Sequence, residues 1–236
     1  MSGVRPLIAA SILTADFGNL HRVVRTLEKA GVDRLHLDVM DGHFVPHLTF
    51  GPDVVAAFRR LTRLPLDLHL MIAEPSRFIG AFLAAGADSI TFHVEVPEDP
   101  STIQATLDRV RDEGRAAGLA ISPGTPVEAL WPYRESLDIA MVMTVVPGAG
   151  GQRFLQDEAP KIGAVRSVLP EGGPRPPEVH VDGGVNRDTA AIAGTYDADV
   201  LIVGSALFQR GTDTVTEVDL VRRAWAAASR VGTAAS

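Results

Sequence analysis

The polarity of the chain follows a regular rhythm. Short apolar runs recur, and each is followed by a longer stretch whose apolar positions fall three or four residues apart. The runs at 7–12, 34–39, 66–71, 89–94, 117–122, 139–144, 178–182 and 200–203 predict strands. The stretches at 17–30, 53–61, 76–85, 102–113 and 158–168 predict helices, and a last helix is expected over 215–228. The pairs Ala30-Gly31, Ala85-Gly86 and Ala117-Gly118 read as left-handed helix stops. Ala-Gly-x-Asp recurs before strands, at Ala30-Gly31-Val32-Asp33 and Ala85-Gly86-Ala87-Asp88, a weak repeat with the period of one strand–helix unit. The strands are too apolar to present a wet face, which implies a parallel sheet covered by helices. A count of eight favours closure into a (β/α)₈ TIM barrel, and residues 1–236 are expected to form a single barrel domain. The Gly/Pro-rich stretch 170–177 reads as a surface connection within that domain.

Composition narrows the function. The chain has 236 residues, 46% of them hydrophobic, enough for a sizeable core. Net charge is −7 and Lys29 and Lys161 are the only lysines, so the basic face of a nucleic-acid binder is missing. An acidic chain can still hold an anion through backbone N–H groups. With no cysteine, disulfides, zinc fingers, iron–sulfur clusters and thiol nucleophiles are excluded. The apolar run at 7–13 reads as a buried first strand rather than a signal peptide, and no apolar stretch is long enough to span a membrane. A cytoplasmic enzyme is expected, with homo-oligomerisation left open.

Barrel enzymes work at the C-terminal ends of their strands. Strand two reads Leu35-His36-Leu37-Asp38, and alternation puts His36 and Asp38 on one face. Strand three carries His69 late in its run. Strand seven reads Val179-His180-Val181-Asp182, with His180 one layer deeper than Asp182 and assigned to structure. Any one of these side chains alone reads best as a hydrogen-bonded core group. His36, Asp38, His69 and Asp182 together, at strand ends, suit a divalent cation that offsets the cost of buried charge. His93 on strand four either lines that site or fills the barrel. His43 and His47 fall in the loop after strand two, and His21 on a solvated helix face.

Glycine-rich segments follow the last three strands. Pro147-Gly148-Ala149-Gly150-Gly151-Gln152 reads as a loop that closes over a ligand. Gly183-Gly184 and Gly204-Ser205 stand where this barrel class binds phosphate, each expected to open a helix.

These residues resemble the ribulose-phosphate 3-epimerase family. The matching stretches are Ser11-Ile12-Leu13-Thr14-Ala15-Asp16-Phe17, His36-Leu37-Asp38-Val39-Met40-Asp41-Gly42-His43-Phe44-Val45-Pro46 and Leu68-His69-Leu70-Met71-Ile72. Pro147-Gly148 with Gly150-Gly151-Gln152, Val181-Asp182-Gly183-Gly184-Val185 and Gly204-Ser205-Ala206 complete the set. The resemblance implies a ribulose-phosphate-binding type of barrel and an isomerase of carbohydrate metabolism, in the pentose phosphate pathway. It implies one divalent cation, most often zinc, with iron, manganese and cobalt as alternatives. Its ligands fall on His36, Asp38, His69 and Asp182, and its acid/base pair on Asp38 and Asp182. Its substrate contacts fall on Ser11, His69, Met40, Met71 and Met143, on the loop at Gly148, Ala149, Gly150 and Gly151, and on Gly183, Gly184, Gly204 and Ser205. The chain departs from the family's usual Asn at Val146 and Phe at Ala149, and Ser122-Pro123-Gly124-Thr125-Pro126 also differs from the usual pattern.

The expected reaction interconverts D-ribulose 5-phosphate and D-xylulose 5-phosphate through an enediolate. The nearest rival is the same chemistry on another ketose phosphate, such as allulose 6-phosphate. A related barrel lyase would need a strand-end lysine, and Lys29 and Lys161 both fall on helices. A silent sugar-phosphate-binding protein would be expected to lose the acid/base pair.

Overall fold

The computed structural model describes residues 5–170, 176–209 and 211–232, so residues 171–175 of the expected surface connection lie outside it. Eight strands alternate with helices in the order β1 (Leu7–Ser11), α1 (Leu20–Ala30), β2 (Arg34–Met40), α2 (Pro52–Leu61), β3 (Leu66–Met71), α3 (Pro75–Ala84), β4 (Ser89–His93), α4 (Pro100–Asp112) and β5 (Ala116–Ile121). Then come β6 (Ile139–Met143), α5 (Pro160–Val168), β7 (Glu178–Asp182), α6 (Thr189–Thr195), β8 (Val200–Val203), α7 (Ser205–Phe208) and α8 (Thr214–Gly232). Each strand pairs in parallel with the next, and β8 pairs back onto β1, closing the barrel. Among the described residues no helix is long and apolar enough to cross a membrane.

Local chemistry sets where the helices begin and end. Proline opens α2, α3, α4 and α5, where its missing N–H has no intrahelical partner to lose. The Asp99 carboxylate caps α4 by accepting from the N–H groups of Ser101 and Thr102. Gly31 ends α1 at φ 71°, the left-handed stop that the sequence predicts.

The pleat sorts side chains into two layers. On β2, Leu35, Leu37 and Val39 join the apolar shell between sheet and helices, as do Leu66, Leu68 and Leu70 on β3 and Val179 and Val181 on β7. The opposite parity faces the barrel lumen. There Ala9, Ala120, Met141, Met143, Val145, Val200 and Ile202 form a smaller apolar cluster. The lumen also takes the polar residues of β2, β3 and β7. At its lower end the Arg34 guanidinium donates to both oxygens of Glu178, at 3.0 and 3.2 Å.

Several expectations need correction. Ala117-Gly118 is no helix stop: both residues lie inside β5, and α4 ends before Gly114 at φ 70°. Gly118 is needed for space, since a Cβ there would stand 2.5 Å from Thr91 Oγ1 and 2.8 Å from Ile139 Cβ. The helix expected over 17–30 divides into a 3₁₀ turn at Phe17–Asn19, capped by Asp16, and α1. That expected over 158–168 likewise divides into a 3₁₀ turn at Gln156–Glu158 and α5. Three elements lack a clear periodic signal in the sequence: α6, α7 and the 3₁₀ segment Val127–Ser136, which contains Pro132.

Helix α6 packs tightly on α8. A Cβ on Gly194 would stand 2.5 Å from the Trp225 carbonyl oxygen, which is backbone and cannot swing aside. Gly194→Ala is therefore expected to destabilise the protein by about 1–3 kcal/mol through overpacking. Urea unfolding checks this, and an unchanged midpoint would contradict the close helix contact.

Candidate active site

The cluster starts from strand register. Strand β2 pairs with β3 so that His36 stands beside Asp67 and Asp38 beside His69. All four have lumen parity, and all four are buried. Asp182 reaches the same level from β7, beside Met143 of β6 and Ile202 of β8. One ligand atom each from His36, Asp38, His69 and Asp182 lies within 4.8 Å of every other.

Each imidazole points a specific nitrogen into this cluster. His36 Nδ1 lies 2.8 Å from Asp67 Oδ2, and the other Asp67 oxygen accepts from Ser89 Oγ. A carboxylate accepts only, so Nδ1 carries a hydrogen and donates it, which leaves Nε2 to face the cluster. That Nε2 is 3.3 Å from Asp38 Oδ1 but not aligned with any hydrogen-bond partner. His69 directs Nδ1 at Asp38 Oδ1, 3.2 Å away, and at Asp182 Oδ2, 3.5 Å away. Ser11 Oγ donates to Asp38 Oδ2 at 2.7 Å, fixing that carboxylate's outer oxygen.

Electrostatics follow from the crowding. Burial pulls the His36 imidazole down, but the neighbouring Asp38 charge and the hydrogen bond to Asp67 outweigh it and hold it well above the usual histidine value. Burial opposes the Asp38 charge, yet His36 and His69 together hold its carboxyl far below the usual carboxylate range. Asp67 is held down in the same way, by His36 first, then His180 and Arg34. His69 is raised: burial pulls it down, and its bonds to Asp182 and Asp38 prevail. His93 is lowered chiefly by burial.

The residues fit a divalent cation. A fully buried imidazole nitrogen without a partner is costly unless something occupies its lone pair. With both imidazoles neutral, His36 Nε2, His69 Nδ1 and two carboxylates form a nitrogen–oxygen donor set of the kind zinc and similar cations take. The hydrogen bond from His36 to Asp67 is the outer support that such ligands usually carry.

Above the cluster lies a cavity. Ser11, Asp38, Met40, Met71, Met143, Asp182, Gly183, Gly184, Gly204 and Ser205 line it, with Gly148, Ala149, Gly150 and Gly151 from the loop after β6. That is every residue the resemblance gives as a substrate contact except His69, which stands below its floor. Leu13, Thr14, Val145, Pro147, Gln152, Val185 and Ile202 line it too. Most of these fall in the stretches that resemble the family without being named there as contacts, and Val145 and Ile202 are apolar residues that carry no chemical signal.

The loop lies against the barrel mouth. Gln152 Nε2 donates to the carbonyls of Val146 and Ala149, at 2.7 and 2.9 Å, tying the loop to itself. A Cβ on Gly150 would stand 2.7 Å from Thr14, and one on Gly148 3.0 Å from Val45. Of the two departures, Ala149 faces the cavity, whereas Val146 is 62% exposed and does not line it. Gly183 and Gly184 have φ of 118° and 65°, and a Cβ on Gly184 would strike the Phe154 backbone at 2.4 Å. Gly204 opens the four-residue α7 as expected, whereas Gly183-Gly184 opens no helix directly, since α6 begins only at Thr189.

The remaining sequence candidates separate clearly. His180 is buried one layer deeper, with Nε2 2.9 Å from Glu178. His93 is also buried and does not line the cavity; its Nε2 lies 2.9 Å from His69 Nε2. His21, His43 and His47 are exposed. Lys161 lies on α5, outside the cavity lining, with its ammonium 2.6 Å from Glu158. Asp67, which backs His36, and Glu95, which backs His93, do not stand out in the sequence. Lumen parity alone marks Asp67, and nothing in the local pattern marks Glu95.

Comparison with known proteins agrees with this geometry. The model of the "Ribulose-phosphate 3 epimerase family" matches residues 7–208. The ribulose-phosphate 3-epimerase of Bacillus subtilis is 43% identical over 201 residues, covering 85% of this chain and 91% of that protein. The enzyme of the same name from Mycobacterium bovis is 40% identical over 224 residues, covering 95% of each. Among solved structures, 3-hexulose-6-phosphate synthase from Salmonella typhimurium superposes with a TM-score of 0.71 at 18% identity, covering 94% of this chain and 99% of that one. 3-Keto-L-gulonate-6-phosphate decarboxylase from Vibrio cholerae superposes at 0.67 with 14% identity, covering 94% and 97%. At such identities these two structures speak to the fold alone. The family match across most of the barrel, together with relatives near 40% identity over nearly their whole length, shows that the chain belongs to the ribulose-phosphate 3-epimerase family, a family of isomerases.

Proposed function

We propose that this protein interconverts D-ribulose 5-phosphate and D-xylulose 5-phosphate, with Asp38 and Asp182 carrying the proton at C3 and a divalent cation, zinc foremost, held by His36, Asp38, His69 and Asp182. The observation that supports it most is the placement of two carboxylates from β2 and β7 on the floor of one cavity, within a four-residue donor set.

The chemistry needs two proton carriers. One aspartate, as carboxylate, takes the C3 proton beside the carbonyl of the ketose phosphate. The C–H electron pair moves into the C2–C3 bond, and the carbonyl π pair moves onto its oxygen. The other aspartate, as carboxylic acid, returns a proton to the opposite face of C3, which inverts that centre. A bound divalent cation supplies Lewis-acid charge that favours negative charge developing on the substrate oxygens, an effect of several kcal/mol. Ser11 holds Asp38 through its 2.7 Å hydrogen bond, so the carboxylate meets C3 in a fixed orientation. Met40, Met71 and Met143 form an apolar wall that keeps water from the intermediate. The glycine segments at 183–184 and 204–205 present backbone to the phosphate with no side chain between. A lysine-dependent lyase reaction finds no support, because neither lysine lines the cavity.

Asp38→Asn and Asp182→Asn are each expected to lower kcat by about 10²–10⁴-fold, the usual worth of a general acid or base. Elemental analysis of each variant separates lost chemistry from lost cation. A variant that keeps its cation and still interconverts the epimers near the wild-type rate would refute the two-aspartate assignment. Proton exchange at C3, followed by NMR in heavy water, reads the same step across ribulose 5-phosphate, allulose 6-phosphate and unphosphorylated ribulose. Faster turnover of the six-carbon sugar would move the substrate assignment to that rival, the change that a small residue at Ala149 would suit.

The phosphate contact is best tested at Gly204. A Cβ there meets nothing closer than Ser11 Cβ at 3.5 Å, so the fold tolerates it, unlike one on Gly184. Gly204→Ala is expected to raise KM for the sugar phosphate by about tenfold, equal to about 1.4 kcal/mol of binding, with cation content and melting temperature unchanged. An unaltered KM would remove Gly204 from the phosphate site.

A further inference from the structure

His93 has no place in the reaction as drawn, yet it is fully buried against the site. Its ring packs between Phe44 and His69, with centroids 4.8 and 5.0 Å away. Its Nε2 stands 2.9 Å from Nε2 of His69. Two imidazole nitrogens in a hydrogen bond share one hydrogen, so one donates and the other is bare. His69 also turns its Nδ1 to carboxylates, but where a cation stands between them the far side of the His93 ring decides which. There Nδ1 faces Glu95 Oε2 at 2.9 Å. The other Glu95 oxygen accepts from the backbone N–H of Ser122 at 2.7 Å, which fixes the carboxylate in place.

A carboxylate cannot donate, so His93 must carry its hydrogen on Nδ1, with Ser122 Oγ at 3.2 Å as a second acceptor. His93 Nε2 is then bare and accepts from His69 Nε2–H. With Nε2 donating to His93, His69 Nδ1, which faces Asp38 and Asp182, is the nitrogen whose lone pair becomes available when a cation stands between it and those carboxylates. The opposite polarity would put a hydrogen on His69 Nδ1 and close that lone pair to any cation.

We propose that Glu95 is a positioning residue which, acting through His93, fixes His69 in the tautomer that can bind a cation through Nδ1. This rests on the proposed reading of His69 as a ligand. It gives His69 an outer support equivalent to the one Asp67 gives His36, carried over two rings instead of one bond.

Glu95→Gln is the informative variant. Its amide has one accepting atom for two donors. With the amide oxygen on Ser122 N–H, the NH₂ group meets His93 Nδ1 and drives the hydrogen to Nε2. The experiment uses the full chain labelled with ¹⁵N-histidine: long-range ¹H–¹⁵N spectra report the His93 tautomer, and titration with zinc reports affinity. In the wild type, His93 is expected as the Nδ1–H tautomer. In Glu95→Gln the Nε2–H form is expected, with zinc binding weakened about 10–100-fold, the usual worth of an outer support to a ligand. A purely structural role for Glu95 would lower the melting temperature but leave the tautomer alone. His93→Phe, which keeps a ring between Phe44 and His69 but removes the acceptor, is expected to weaken zinc to a similar degree and serves if Glu95→Gln does not fold. A wild-type His93 with its hydrogen on Nε2, or variants that bind zinc within about twofold of wild type, would overturn the proposal. Failure of the wild type itself to bind zinc would instead strike the metal-site reading, while the tautomer of His93 could still be read.

Discussion

Two carboxylates and two imidazoles share a space 4.8 Å across, in the lumen of a parallel barrel where water has little access. Charge in such a place is tolerated only when each group is paired or bound. The surrounding structure answers that demand group by group. Ser11 donates to Asp38, Asp67 accepts from His36, and His93 stands against the far nitrogen of His69. Deeper in the lumen, Glu178 takes hydrogen bonds from Arg34 and lies against His180, so the polar column continues to the lower end of the barrel. Deeper in the lumen His180 Nδ1 also lacks a partner, while at the site the inner faces of His36 and His69 and the two aspartates are left turned toward one another. The proposed cation and the proton transfers both draw on these.

The barrel supplies rigidity from its other face. Leu35 and Leu37 flank His36, and Leu68 and Leu70 flank His69, each locked in the apolar shell beneath the helices. A side chain on one face of a strand cannot shift without moving its neighbours on the other, so the donor set inherits the stiffness of the core. The upper side of the cavity is built differently. Gly183 and Gly184 let backbone approach backbone, and Gly148 and Gly150 let the loop lie close on the side chains of Val45 and Thr14, where a Cβ would crowd. The result is a rigid polar floor beneath a cover made largely of main chain.

Much of this was legible in the sequence, because both layers follow from a period of two. Alternation alone placed His36 with Asp38 on one face, and strand ends collected His69 and Asp182 with them. The family resemblance then gave Ser11, the three methionines and the glycine loops, and the cavity gathers all of these. What single strands cannot reveal is lateral register. His36 meets Asp67 only because β3 sits where it does against β2, and the link from His69 through His93 to Glu95 crosses two strands and a loop. Ala117-Gly118 misled for a related reason: a glycine needed for space inside a strand looks the same in sequence as one needed for a left-handed turn. Gly183-Gly184 lines the cavity but does not open a helix there, since α6 starts five residues beyond Gly184, and the glycines are required by the approach of Val145 and Phe154.

The central claim is that four side chains from β2, β3 and β7 hold one cation. Crystals of the zinc-loaded protein, with diffraction recorded on either side of the zinc absorption edge, test this without reference to turnover. The account predicts a single strong anomalous peak per chain, about 2.0–2.2 Å from His36 Nε2, His69 Nδ1 and an oxygen of each of Asp38 and Asp182. A fully loaded crystal with its zinc elsewhere, or bound through His69 Nε2, would contradict it.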